Sequence, residues 1–209
     1  MKLIRDIEEL LALKGKNLAF FYGANLPAHF GYLEFIRRSK AALPIDHLIV
    51  CPNKDADETD LKELRHRLRM MDLVKDTPQE ASEIYGFSLE QCHGSKNDLT
   101  FDDMLHILKR RGKKIYVLLP CHTNESDTSY FKTKGITFVY ACSHNQKQSK
   151  AKKNFKTQKL IYMDDIKSCN PEPIRETRIN KGAYIPEAMD KYLAEHHLYQ
   201  NDQSKKTFN

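Results

Sequence analysis

From residue 17 onward, short uninterrupted apolar runs alternate with segments of helical spacing, and few folds accommodate that pattern. Asn17–Tyr22 (NLAFFY), His47–Cys51 (HLIVC), Lys114–Leu119 (KIYVLL) and Ile136–Cys142 (ITFVYAC) lack the polar alternation of a half-exposed strand. They are expected as strands buried on both faces. Ser82–Tyr85 and Lys159–Met163 are weaker strand candidates. Between them, His29–Ala42, Thr59 to about Lys75, Thr100–Arg111 and Pro186–His197 carry apolar residues three and four apart, as in Phe101, Met104, Leu105 and Leu108. The stretch 3–13 puts Leu3, Ile7, Leu10 and Leu11 on one face and is read as a further helix, broken by Gly15. Strands alternating with helices imply βαβ units and a doubly wound, mostly parallel α/β sheet. Asn17–Tyr22 is then an inner strand beside Lys114–Leu119. Ligands of such sheets bind beyond the carboxyl ends of the strands, at the switch point of the winding. The loops Gly23–Ala28, Cys51–Asn53, Pro120–His122 and Cys142–Asn145 are therefore where chemistry is expected.

Composition removes several classes. The chain has 209 residues, of which 40% are hydrophobic, enough for a core of its own. No apolar run approaches the ~20 residues of a membrane span. Met1–Glu9 carries acids where a signal peptide has its apolar stretch, so a cytoplasmic location is expected, with no membrane partner. The net charge is +6, yet residues 128–163 hold eight lysines and no acid, leaving the remainder at −2. The basic character is thus expected to be local, and nucleic acid is not an expected partner. Residues 147–159 are read as a solvated loop, with an anion-binding patch as the other reading. Five cysteines, at 51, 92, 121, 142 and 169, form no CxxC pair and read as reduced thiols.

The first of the four loops is the most informative. Tyr22-Gly23-Ala24-Asn25-Leu26-Pro27-Ala28-His29-Phe30-Gly31-Tyr32 runs from a buried strand into a helix. Gly23 permits a tight turn and close backbone approach. Pro27 suits a first helical position, because its missing N–H would be unpaired there. The helix start presents free N–H groups and partial positive charge, which suit a phosphate. His29 adds a side-chain donor at that point, and Gly31 leaves the helix surface open. Ala24 and Asn25 line the same loop. Lys54, Pro120 and His122 follow neighbouring strands.

This loop resembles that of the HxGH nucleotidylyltransferases, Gly-x-Phe-Asp-Pro-x-His-x-Gly-His, at Gly23, Pro27, His29 and Gly31. Tyr184-Ile185-Pro186-Glu187-Ala188-Met189, with Tyr192-Leu193 and His197-Leu198-Tyr199, is similar to the terminal helix of the bacterial nicotinate-mononucleotide adenylyltransferase family. Val50-Cys51-Pro52-Asn53, His66-Arg67-Leu68-Arg69-Met70 and Leu99-Thr100-Phe101-Asp102-Asp103-Met104-Leu105 resemble further family segments, in order. The resemblance implies a Rossmann-like nucleotidylyltransferase domain at 17–199, preceded by an N-terminal helical extension at 1–16 and followed by a polar tail at 200–209. It also implies adenylyl transfer from ATP to nicotinate mononucleotide, assisted by Mg²⁺. His29, Tyr32 and Arg175 are the implied catalytic positions, and Gly23, Ala24, Asn25, Pro27, Gly31, Lys54, Pro120 and His122 the implied nucleotide-binding ones.

The sequence also departs from that pattern. Tyr32 stands where the family has its second histidine, and Asn25-Leu26 replace Phe-Asp. Asp55-Ala56-Asp57-Glu58 follows the second strand, and only Ile174-Arg175 remain of the late phosphate motif. Kept fold positions with altered chemistry positions leave two readings open, a divergent transferase and a nucleotide-binding pseudoenzyme. A third reading, of another class, is a metal or nucleic-acid module. Cys51, Cys121 and Cys142 end strands, with His122 and His144 nearby, although no compact zinc spacing is present. Self-association is left open.

Overall fold

The computed structural model describes residues 2–22, 30–51, 61–73, 84–87, 99–119, 131–143, 158–163 and 185–198. The elements are β1 (Lys2–Ile4), α1 (Ile7–Ala12), β2 (Asn17–Tyr22), α2 (Phe30–Ala42), β3 (His47–Cys51), α3 (Leu61–Leu73), β4 (Ile84–Phe87), α4 (Phe101–Arg110), β5 (Lys114–Leu119), β6 (Thr137–Ser143), β7 (Gln158–Met163) and α5 (Glu187–Glu195). Among the described residues, seven strands form one sheet in the order β1-β4-β3-β2-β5-β6-β7. Every pairing is parallel.

The apolar runs explain the sheet. Leu18, Ala19, Phe20 and Phe21 are all fully buried, so β2 is covered on both faces. Alternate residues then belong to two different cores. Ala19, Phe21, Leu48, Val50, Tyr116 and Leu118 pack with α2, α3 and α5 through Leu33, Phe35, Met70, Met189 and Leu193. Leu18, Phe20, Ile49, Ile115 and Val117 pack with α1 and α4 through Leu10, Met104, Leu105 and Leu108. Each fully buried Phe or Leu stabilises the fold by roughly 1.5–3 kcal/mol. Helices on both faces of a parallel sheet make the expected doubly wound architecture. The inner position of β2 is also as expected, with Asn17 opposite Lys114 and Phe21 opposite Leu118.

The helix expected over residues 3–13 is shorter. Lys2–Ile4 is instead a strand beside β4, with Lys2 opposite Tyr85 and Ile4 opposite Phe87. Asp6 ends it and caps α1, its carboxylate accepting from the Glu9 N–H at 2.8 Å. Ile4 and Leu10 are both buried, whereas Leu3 is 46% exposed. The segment 1–16 thus adds an edge strand as well as a helix.

The chain turns tightly below the sheet. Gly15 has φ +92°, a left-handed conformation that suits glycine. Beside it, the Asp46 carboxylate accepts from the Lys16 and Asn17 N–H groups, each at 2.8 Å, and from Asn17 Nδ2 at 3.0 Å. Above, α4 opens with a reciprocal cap. The Asp103 N–H donates to Thr100 Oγ1 at 3.1 Å, and the Thr100 N–H donates to Asp103 Oδ2 at 3.0 Å.

Candidate functional site

The winding reverses between β2 and β5. From β2 the chain proceeds outward through β3 and β4, and from β5 it proceeds the other way through β6 and β7. The carboxyl ends of these two adjacent strands, at Tyr22 and Leu119, define the switch point. Two of the four loops named from the sequence, those beginning at Gly23 and Pro120, follow these ends in the chain. Gly23, Ala24, Asn25, Pro27 and His29 lie outside the described residues, as do Lys54, Pro120, His122 and Arg175. Gly31 and Tyr32 are described. Both are buried in the first turn of α2.

Tyr32 is 1% exposed. Its ring meets Phe21 edge-on, with centroids 5.1 Å apart. Phe21 in turn meets Phe35, one turn further along α2, at 6.2 Å. The position that the motif gives to a second histidine therefore fills core volume and seats the start of α2 on β2.

On the other face, Tyr22 stacks on Phe101 with centroids 4.4 Å apart and planes inclined by 21°. Phe131 closes on both rings, at 5.8 Å from Tyr22 and 6.0 Å from Phe101. This aromatic wall supports the end of β2 at the switch point. The reciprocal cap at Thr100 and Asp103 aligns the first turn of α4 with it. The Thr100 hydroxyl donates to the Asp103 carboxylate, which holds that carboxyl below its usual range. Sequence reasoning named none of these rings as part of the site. The adjacency of Tyr22 to Gly23 was the available signal.

The structure also joins two segments that carried the resemblance. His66 Nδ1 on α3 and the Tyr192 hydroxyl on α5 share a hydrogen bond of 2.7 Å. The His196 ring lies 4.8 Å from His66 and 4.4 Å from Tyr192. Burial raises the Tyr192 pKa, with Arg69 opposing weakly.

The cysteine-based metal reading meets a geometric obstacle. Cys51 ends β3 and Cys142 lies in β6, with β2 and β5 between them. Three strand spacings make roughly 14 Å, too far for both to ligate one ion. Among the described residues, no three His, Cys, Asp or Glu gather in a metal-binding group. No described helix is long and apolar enough to cross a membrane.

Comparison with solved structures matches this arrangement to a known Rossmann-like fold. The fold is shared with Plasmodium falciparum nicotinic acid mononucleotide adenylyltransferase complexed with NaAD, at a TM-score of 0.66 and 20% identity, over 88% of this chain and 98% of that chain. The same enzyme complexed with APC matches at a TM-score of 0.66 and 19% identity, with the same coverage. No protein-family model matches the chain, and no curated protein does.

Proposed function

We propose that this chain is a nucleotidylyltransferase that moves the adenylyl group of ATP onto nicotinate mononucleotide or a related mononucleotide. The supporting observation is the likeness to nearly the full length of an adenylyltransferase whose structure holds NaAD, combined with a switch point flanked by the 23–32 and 120–122 loops. The reaction needs no protein nucleophile. A phosphate oxygen of the mononucleotide attacks the α-phosphorus of ATP. A new P–O bond forms as the bond to the pyrophosphate oxygen breaks, and pyrophosphate leaves with the electron pair.

The protein's task is to hold both phosphates in line and to offset charge on the leaving group. In this proposal His29 donates from the start of α2, and Arg175 and Lys54 neutralise the pyrophosphate. The backbone of Gly23, Ala24 and Asn25 lets the phosphates approach, while Pro27 and Gly31 shape the helix entry. Pro120 and His122 close the far side. Tyr32 sets the pitch of α2 against β2. Mg²⁺ fits as a companion of the ATP phosphates, its common mode of binding, and when bound would supply charge neutralisation. No described cluster is built to cage it.

A nucleotide-binding pseudoenzyme is the second reading, favoured by the burial of Tyr32 at the second motif position. Purified protein with Mg-ATP and nicotinate or nicotinamide mononucleotide, assayed for pyrophosphate release, separates the two. Release above background with either mononucleotide supports transfer. ATP binding by calorimetry without any release supports the pseudoenzyme. Equal ATP affinity in wild type and His29→Ala removes His29 from the site.

A further inference from the structure

The floor of the sheet, opposite the switch point, carries a strongly basic surface. Four separate segments meet there. The Lys114 N–H donates to the Lys16 carbonyl at 2.7 Å, tying β5 to the residue before β2. Lys113 Nζ donates to the Leu13 and Gly15 carbonyls, at 2.7 and 2.9 Å. His47 Nε2 donates to the Lys14 carbonyl. Lys109 Nζ donates to the Gly135 carbonyl at 2.9 Å. These bonds knit 13–16, 46–47, 109–114 and 134–135 into one surface.

On it Lys14, Lys16, Arg110, Arg111, Lys114 and Lys134 are exposed. Among the described residues, none of them forms a salt bridge. Asp46 is the carboxylate in these segments; its N–H partners are neutral, so its charge offsets one of the eight cations and leaves the surface strongly basic. The two half-buried ammonium groups, Lys109 and Lys113, bond neutral carbonyls, so those bonds cancel none of their charge. Cations in the last turn suit the dipole of α4, which accounts for Lys109 and Arg110. It does not account for Lys14, Lys16, Lys114 or Lys134, which stand at the amino ends of β2, β5 and β6. Those strands are adjacent, roughly 4.8 Å apart, so the charges form a row.

We propose that this floor binds the phosphodiester backbone of a nucleic acid, without reading its sequence. A row of fixed cations fits a polymer with a charge every ~1.7 Å along the duplex axis. Arg110 and Arg111 add the planar donors that match phosphate oxygens. The one large hydrophobic side chain that is strongly exposed among the described residues is Leu3. It sits on the β1 edge, away from the floor, so the surface has no apolar anchor for a bilayer. The chain's average charge conceals the feature. Five of these cations stand together at 109–114 and the other three at 14, 16 and 134, while the acids outside 128–163 outnumber the bases there. This inference is independent of the transferase proposal, whose site lies at the other end of the strands.

The test is fluorescence anisotropy of the full chain with DNA and RNA duplexes of roughly 20 base pairs, between about 50 and 200 mM salt. Binding is expected to weaken with a log–log slope of about −3 to −4, corresponding to roughly four neutralised phosphates. The variant Arg110→Ala, Arg111→Ala, Lys114→Ala is expected to bind about tenfold more weakly or worse, with a slope shallower by about 2 to 3. Lys14→Ala with Lys16→Ala, from a different segment, is expected to weaken binding as well. Thermal melting of each variant verifies its fold. Three outcomes overturn the proposal. One is no binding at the lowest salt. Another is wild-type affinity in a folded variant, including binding lost only when Lys150, Lys152 and Lys153 are replaced. The third is tighter binding to phosphatidylserine vesicles than to either duplex.

Discussion

His66 on α3 and Tyr192 on α5 are joined by a 2.7 Å hydrogen bond although 126 residues separate them in the chain. The bond pins the last helix to the same sheet face as α2, so the C-terminal segment is part of the body that holds the switch point. Tyr192→Phe keeps the ring and removes the bond. It is expected to cost about 1 kcal/mol, read from the urea midpoint. His66→Ala and the double variant are expected to be non-additive, because both delete one interaction. Burial favours the neutral phenol, so its contribution is full below pH ~10 and is lost as pH rises through the raised folded pKa. Ultraviolet titration is expected to show a late-ionising phenol component that diminishes in Tyr192→Phe.

Gly15 is expected to resist substitution. Its φ is +92°, and an added Cβ would lie 2.7 Å from both Asp46 Cγ and Oδ2. Gly15→Ala combines a disfavoured backbone with displacement of the carboxylate that caps Lys16 and Asn17. A loss of about 1–3 kcal/mol is expected in chemical denaturation. Gly112→Ala, with positive φ but open space, is expected to cost less, which isolates the contact from the backbone effect.

Acid is expected to weaken the fold through two carboxylates. Asp46 is held below its usual pKa first by the Asn17 N–H, with help from Lys16. Asp103 is held low by the Thr100 hydroxyl and N–H. A depressed folded pKa gives a contribution present above the unfolded pKa, near 4, and lost as pH falls through the folded value. Both groups are exposed, so each contribution is small. The acid limb of the stability–pH profile is expected to flatten in Asp46→Asn and Asp103→Asn.

Tyr32 separates packing from chemistry. Tyr32→Phe preserves the edge contact with Phe21 and is expected to cost less than about 1.5 kcal/mol. Tyr32→His puts a smaller, polar ring at a 1% exposed position and is expected to cost about 2 kcal/mol or more. If Tyr32 only seats α2, pyrophosphate release by Tyr32→Phe stays within about threefold of wild type. A loss of ~10² would instead make the phenol a donor.

The parts legible in the sequence were those with a local signature. NLAFFY and KIYVLL are continuous apolar runs, short enough for strands and too apolar to leave either face in water. Phe101, Met104, Leu105 and Leu108 carried the three-and-four spacing of a helix. Lys2–Ile4 was hidden because Leu3 and Ile7 also fit a helical period, and three residues are too few to show alternation. Its strand character resides in β4, more than eighty residues away. Tyr32 was equivocal for a related reason. One turn into a helix, an aromatic ring faces either ligand or core, and only the seating of α2 on Phe21 decides. Of the basic floor only the run 109–114 (KRRGKK) is contiguous in the sequence; Lys14, Lys16 and Lys134 join it through strand order.

The central position of β2 also has a consequence in time. Its β5 neighbour arrives late, since Lys113 follows Leu13 by 100 residues. At roughly 5–20 residues per second, a ribosome takes about 5–20 s to add that length. During that interval the Leu18–Phe21 strand has β3 along one side and nothing from this chain along the other. A strand that the finished protein buries on both faces is thus an open edge in the nascent chain, able to pair with another chain. Yield in a cell is therefore expected to depend on how quickly residues 99–119 follow, or on what shields β2 until they do.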